Sequence, residues 1–172
     1  RLFGNTLIIS GLNLLFVFPT PIVLALLLNE VRHITYKRVI QTVSYLPHFI
    51  SWVVVGGMLI YMFSINVGFF NRLLISFGLE PIRVLGNSDT FLTLVVTSAI
   101  WKGIGWGAII YLAAIAGVNP ELYEAATMDG ANRFHRVLYV TLPSIAPVII
   151  IMLILQIGQL LDVIFYQILI LM

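Results

Sequence analysis

Three stretches of this 172-residue sequence run for 25 residues or more without an Asp, Glu, Lys or Arg: 2–29, 39–71 and 137–161. A fourth, 90–120, contains Lys102 as its single charge. A helix needs roughly 20 residues to cross about 30 Å of hydrocarbon, so each stretch is long enough. Open sheets leave edge N–H and C=O groups unpaired in lipid, which makes helices the expected form. The expected architecture is therefore all-α, a polytopic bundle with spans at about 7–28, 42–63, 91–116 and 146–170.

The composition closes off the soluble alternatives. Charged residues make up 9% of the chain, mean hydropathy is +1.07, and a soluble domain carries about 25% charge. A formal charge of +2 is no footprint for nucleic acid. The absence of cysteine excludes thiolate metal sites, a thiol nucleophile and disulfides. His33, His48 and His135 are scattered, with no metal-ligand spacing, and no GxxxxGK phosphate loop is present. No metal site or catalytic set is expected.

Within the spans, Pro19 and Pro21 predict a kink in a helix that stays whole, because neighbours in a bundle can satisfy the freed groups. Gly56, Gly57, Gly103, Gly105 and Gly107 mark close helix contacts. Basic residues concentrate at 29–38 (Arg32, Lys37, Arg38) and 117–145 (Arg133, Arg136), which the positive-inside rule assigns to the cytoplasm. In the intervening link, Phe69, Phe70, Leu73, Leu74 and Phe77 recur on one side of a short helix expected at the outer surface.

The 117–145 link carries the densest local signals. Asn119-Pro120 opens a helix with Glu121 in its first turn, and Asp129-Gly130 turns the chain. A second short helix follows over 131–140, with Phe134 on its apolar face and Arg133 off it, and Pro143 is expected to stop it before the last span. Such a mixed, amphipathic pair suits docking into a groove on another protein. In the spans, Lys102 between Trp101 and Trp106 points either to a bundle-facing lysine near a translocation path or to one that pairs with a polar neighbour for packing or sits nearer the interface. Gln156, Gln159 and Asp162 follow at spacings of three on one side of the last span, and the glutamines are candidates for the same path.

Glu124-Ala125-Ala126, followed by Asp129-Gly130-Ala131 and Leu142-Pro143, closely resembles the cytoplasmic signature of bacterial ABC importer permeases. The likeness is to binding-protein-dependent sugar permeases of the maltose type, in the lipoprotein-like oligosaccharide branch, and extends through FGNTL, ALLLNEVR, QTVSYLPHFISWVVVGG and WKGIGWGAIIYLAAIAG. It implies a type I importer permease core in a bacterial inner membrane, with residues 29–38 and 117–145 cytoplasmic. The link around Glu121, Glu124, Ala125, Ala126, Asp129, Gly130, Ala131, Arg133, Phe134, Leu142 and Pro143 would be the ATPase-coupling loop. The implied partners are a cytoplasmic ABC ATPase dimer, a second permease subunit, an extracellular solute-binding protein and the lipid bilayer. No cofactor would bind this chain, and ATP-Mg would sit on the ATPase. Permeases of this branch have more spans than the four counted here, so the chain is expected to be truncated at both ends.

A secondary transporter is the competing class, but it predicts an internal repeat, and no second copy of the signature occurs. A structural membrane subunit without an ATPase is the remaining alternative. A membrane enzyme lacks its acid–base set.

Overall fold

The computed structural model describes the backbone of residues 2–65, 68–81 and 88–171, and side chains at 7–65, 68–81 and 90–158. All regular structure among these residues is helical. The first span joins α1 (Leu2–Leu12) to α2 (Pro19–Glu30) through a π turn, Asn13–Val17, and is continuous and apolar from Leu7 to Glu30. The Phe18 amide donates to the Asn13 carbonyl at 3.0 Å, five residues back. Pro21 has no N–H to give the Val17 carbonyl, and the Thr20 hydroxyl donates there instead at 2.8 Å. The helix therefore stays whole through both prolines, as the sequence led us to expect.

The second expected span is not one helix. α3 (Ile34–Tyr45) and a 3-10 turn, Leu46–Phe49, meet α4 (Trp52–Met62) at 97°. Pro47 removes a ladder donor, and Ile50 and Ser51 are extended, at ψ 132° and 151°. Ser51 then caps α4 by accepting from the Val54 amide at 3.4 Å. Residues 42–63 thus form two helices around a corner. The charge-free run gave no sign of this, because hydropathy does not register backbone angles.

The expected short helix in the next link is α5 (Phe69–Ser76). Its buried residue is Asn71 rather than an aromatic, while Phe69 and Phe77 are exposed. The Asn71 amide donates to the Phe63 and Ser64 carbonyls at 3.2 and 3.3 Å, tying α5 back to the end of α4.

The long helix α6 (Ser88–Ala116) is the axis of the bundle and packs against α2, α3 and α9. α7 (Pro120–Met128) and α8 (Arg133–Arg136) follow. A second π turn, Val137–Thr141, then leads into α9 (Leu142–Leu171). Pro143 does not stop the chain here, contrary to expectation. The apolar helix runs unbroken from Arg133 to Gly158, so the helix that carries the last expected span begins before residue 146. The ring of a proline ordinarily collides with the carbonyl four residues back. Here the turn ahead of it has already widened: the Leu142 amide reaches five residues back, to the Val137 carbonyl.

Ala25, Ala108, Tyr111, Ile115 and Ile145 form the main buried cluster between α2, α6 and α9. Small residues set these distances. A Cβ on Gly105 would fall on the Ser44 backbone of α3, and one on Gly107 would lie 2.9 Å from Pro21. Gly56 is buried, whereas Gly57 and Gly103 face open space, so among the described residues they are not the close contacts expected of them. We expect Gly105→Val to destabilise the bundle by about 1–3 kcal/mol or more through overpacking. Gly103→Ala should be neutral by comparison. Thermal melts of the detergent-purified protein, followed by size-exclusion chromatography, read the difference.

Candidate functional site

The link between α6 and α9 is built by capping. The Asn119 side chain accepts from the Glu121 amide at 3.0 Å and donates to the Glu121 carboxylate at 3.2 Å, fixing the start of α7. At the other end, the Gly130 amide bonds the Thr127 carbonyl at 3.0 Å and the Ala131 amide bonds the Ala126 carbonyl at 2.9 Å. This pair of bonds is a Schellman cap, which places Gly130 at the position that wants left-handed backbone. Its φ is +79°, and a Cβ there would meet no neighbour. Within this chain the glycine is needed for its conformation, since no described neighbour stands close enough to exclude a Cβ. The run Ala126 to Ala131 is therefore one physical unit, a helix end folded back on itself. Asn132 then caps α8 by accepting from the His135 amide at 2.9 Å.

Side chains clamp the two short helices together. Arg136 donates to the Thr127 hydroxyl at 3.3 Å, and the Tyr123 hydroxyl pairs with that of Thr141 at 3.0 Å. Thr141 is 1% exposed and also bonds the Arg136 carbonyl at 3.4 Å, inside the π turn that opens the last span. Beside this clamp lies a surface hollow of about 450 Å³ lined by Tyr123, Glu124, Thr127, Met128 and Arg136. Met128 and Phe134 stand 88% and 71% exposed. Glu121, Glu124, Ala125, Asp129, Gly130, Arg133 and Pro143 are exposed as well, while Ala126, Ala131 and Leu142 are half-buried. Tyr123, Thr127 and Thr141 were not among the residues singled out from sequence. Their pairing links positions 18 apart, and no local pattern encodes it.

The candidates in the spans separate. Lys102 is 9% exposed, and its ammonium donates at 2.7 Å to the carbonyl of His48, at the corner between α3 and α4. It also lies 5.5 Å from the centre of the Trp52 ring. Trp106 stacks on His48 with centroids 4.4 Å apart and planes 4° from parallel, and Phe49 meets Trp106 edge-on. Lys102 and Trp106 therefore share one cluster, together with His48 and Trp52, which the sequence did not flag. Trp101 is exposed on α6, Gln156 is half-buried on α9, and Gln159 and Asp162 lie outside the described side chains.

A family model for the binding-protein-dependent transport system inner membrane component matches residues 18–170. The chain belongs to this family. Among similar proteins, Protein LplB of Bacillus subtilis (strain 168) is 49% identical over 168 residues, which is 98% of this chain and 53% of LplB. The polygalacturonan/rhamnogalacturonan transport system permease protein YteP of the same organism is 48% identical over 161 residues, 94% of this chain and 50% of YteP. Among solved structures, a bacterial ABC transporter involved in the import of the acidic polysaccharide alginate superposes with a TM-score of 0.94 at 44% identity. That match covers 98% of this chain and 59% of the other. The chain thus spans about half the length of the curated relatives it matches. As befits an inner-membrane family member, among the described residues it has three continuous helices long and apolar enough to cross a bilayer, plus the cornered pair.

The clamp makes a quantitative prediction. In a double-mutant cycle of Tyr123→Phe and Thr141→Val, the hydroxyl pair should show a coupling of about 0.5–1.5 kcal/mol in the melts. Gly130→Ala, forced to keep a positive φ, should cost about 1–2 kcal/mol on its own.

Proposed function

We propose that this chain is part of the membrane-spanning permease subunit of an ATP-driven, binding-protein-dependent importer for a sugar or oligosaccharide. The observation that carries the reading is the α7–α8 unit. It is capped at both starts, turned by a left-handed glycine, and hydrogen-bonded to the base of the last span. Its exposed side carries Met128, Phe134, Glu124 and Arg133, a mixture fit for a groove on another protein. A unit held this way moves as a body, so a push on α7 reaches α9 through the Tyr123–Thr141 bond.

In this reading residues 29–38 and 117–145 face the cytoplasm, and the loop seats in an ABC ATPase dimer that binds ATP-Mg. This chain binds no cofactor itself. A second permease subunit completes the pore, and an extracellular solute-binding protein delivers the solute. A path lined by Trp101, Lys102, Trp106, Gln156 and Gln159 carries it inward. Support for the sugar class comes from the relatives: YteP is named for polygalacturonan and rhamnogalacturonan, and an alginate transporter was solved with a pentasaccharide-bound periplasmic protein.

The full-length protein, co-expressed with its neighbouring permease and a candidate ATPase, should co-purify through a tag on the ATPase. Glu124→Arg and Gly130→Asp should abolish co-purification or uncouple ATP hydrolysis from transport. If the unaltered protein never brings down an ATPase, the importer reading fails, and a secondary transporter becomes the case to test.

A further inference from the structure

The packed and exposed faces of α3 are the reverse of those on a helix that meets water. Lys37, Gln41 and Ser44 are half-buried toward the bundle, where the Ser44 backbone lies against Gly105 of α6. Tyr36, Val39, Val43 and Leu46 are exposed on the other side. A helix at a soluble surface turns its polar stripe outward, so this apolar stripe meets lipid or another protein. Its depth follows from α6. Lys102 stands fourteen residues from either end of α6 and donates to the His48 carbonyl at 2.7 Å, which sets His48 near the middle of that span. Arg38 lies ten residues before His48, about 15 Å of helix away. Half of a hydrocarbon core of about 30 Å is the same length, so Arg38 reaches the headgroups.

The chemistry along this stripe runs in the order of one bilayer leaflet. Arg32 and His33 are exposed in the extended link before α3, and Arg38 is exposed one turn into the helix. Neither Glu30 nor any other carboxylate pairs with Arg32, Lys37 or Arg38 among the described residues. Tyr36, a residue type of the membrane–water boundary, meets His33 edge-on with ring centroids 6.0 Å apart. Val39, Val43 and Leu46 follow deeper in. Phosphate, ester region and acyl chain present the matching gradient in register, whereas a groove on a protein has no cause to. We propose that α3 seats one anionic phospholipid, with its phosphate on Arg32 and Arg38 and an acyl chain along Val39, Val43 and Leu46. The forked donors of arginine suit phosphate oxygens, and the charge on each guanidinium favours an anionic headgroup over a zwitterionic one. The proposal rests on the permease reading above for its leaflet, which is the cytoplasmic one. A lipid held there braces α3 from outside, opposite its contact with Gly105.

The experiment uses the full-length protein with its sister permease and ATPase, delipidated in detergent. Dioleoylphosphatidylglycerol and dioleoylphosphatidylcholine are titrated in turn, and bound copies are counted by native mass spectrometry. The first phosphatidylglycerol should bind about thirtyfold tighter than phosphatidylcholine, roughly fivefold for each arginine, and the gap should shrink as ammonium acetate is added. Arg32→Gln combined with Arg38→Gln should abolish the preference, and the paired lysine variant should keep most of it. Arg72→Gln, on α5, should leave it intact. If the paired glutamine variant does not assemble, each single variant should lose about fivefold. Benzoylphenylalanine placed at Val43 identifies the occupant independently, and irradiation in native membranes should give an adduct of phospholipid mass. Cross-linking to protein instead, equal binding of the two lipids, binding of neither, or a preference that survives the loss of both arginines each overturns the proposal. Failure of the permease reading is separate, because co-purification with the ATPase is scored before any lipid is added.

Discussion

In hydrocarbon, every carbonyl left without its intrahelical donor must find another, and this requirement shapes the molecule wherever its helices depart from the ordinary ladder. Pro21 frees the Val17 carbonyl, and Thr20 takes it. The His48 carbonyl lies at the end of the 3-10 turn, just before the corner, and Lys102, 54 positions away, takes it. The end of α4 leaves the Phe63 carbonyl, and Asn71 takes it together with the Ser64 carbonyl, which the Gly68 amide also bonds. Each irregularity is paired with a polar side chain, half-buried at Thr20 and buried at Asn71 and Lys102, which is why so apolar a chain still buries the last two.

α6 is where these pairings converge. Its glycines let α3 and α2 approach at Gly105 and Gly107, its lysine holds the corner, and Ala108, Tyr111 and Ile115 build the core with α2 and α9. The link that follows inherits this rigidity. Asn119 starts α7 three residues beyond the end of α6, and Tyr123 ties α7 across to Thr141. The exposed Met128 and Phe134 are thus held on a frame anchored to two spans.

Much of this was legible from residue order. Runs without charge gave the helical class and the approximate spans, because the hydrocarbon requirement acts on composition over a window. Asn119-Pro120 and Gly130 marked the ends of α7, because caps are local and their chemistry is specific to residue type. The corner at residues 47–51 was hidden, since the apolar run continues through it and only two extended residues, Ile50 and Ser51, make the turn. Continuity through Pro143 was hidden for a related reason: the π turn that accommodates the ring is a matter of hydrogen-bond register. The Lys102–His48 and Tyr123–Thr141 pairs join distant positions and emerge only once the helices pack.

The two π turns have a further consequence. Each holds one residue more than an α ladder needs, and each ends two residues or fewer before a proline, at Pro19 and at Pro143. The extra residue sets the angular phase between what lies on either side. Removing any one residue from 137–141 and restoring the α ladder turns α8 by about 100° around the axis of α9. Met128 and Phe134 would then look in another direction with every side chain of the loop unchanged. The aim of the loop is therefore written in the length of the segment beneath it, and a single-residue deletion there is a far larger change than most substitutions in the signature itself.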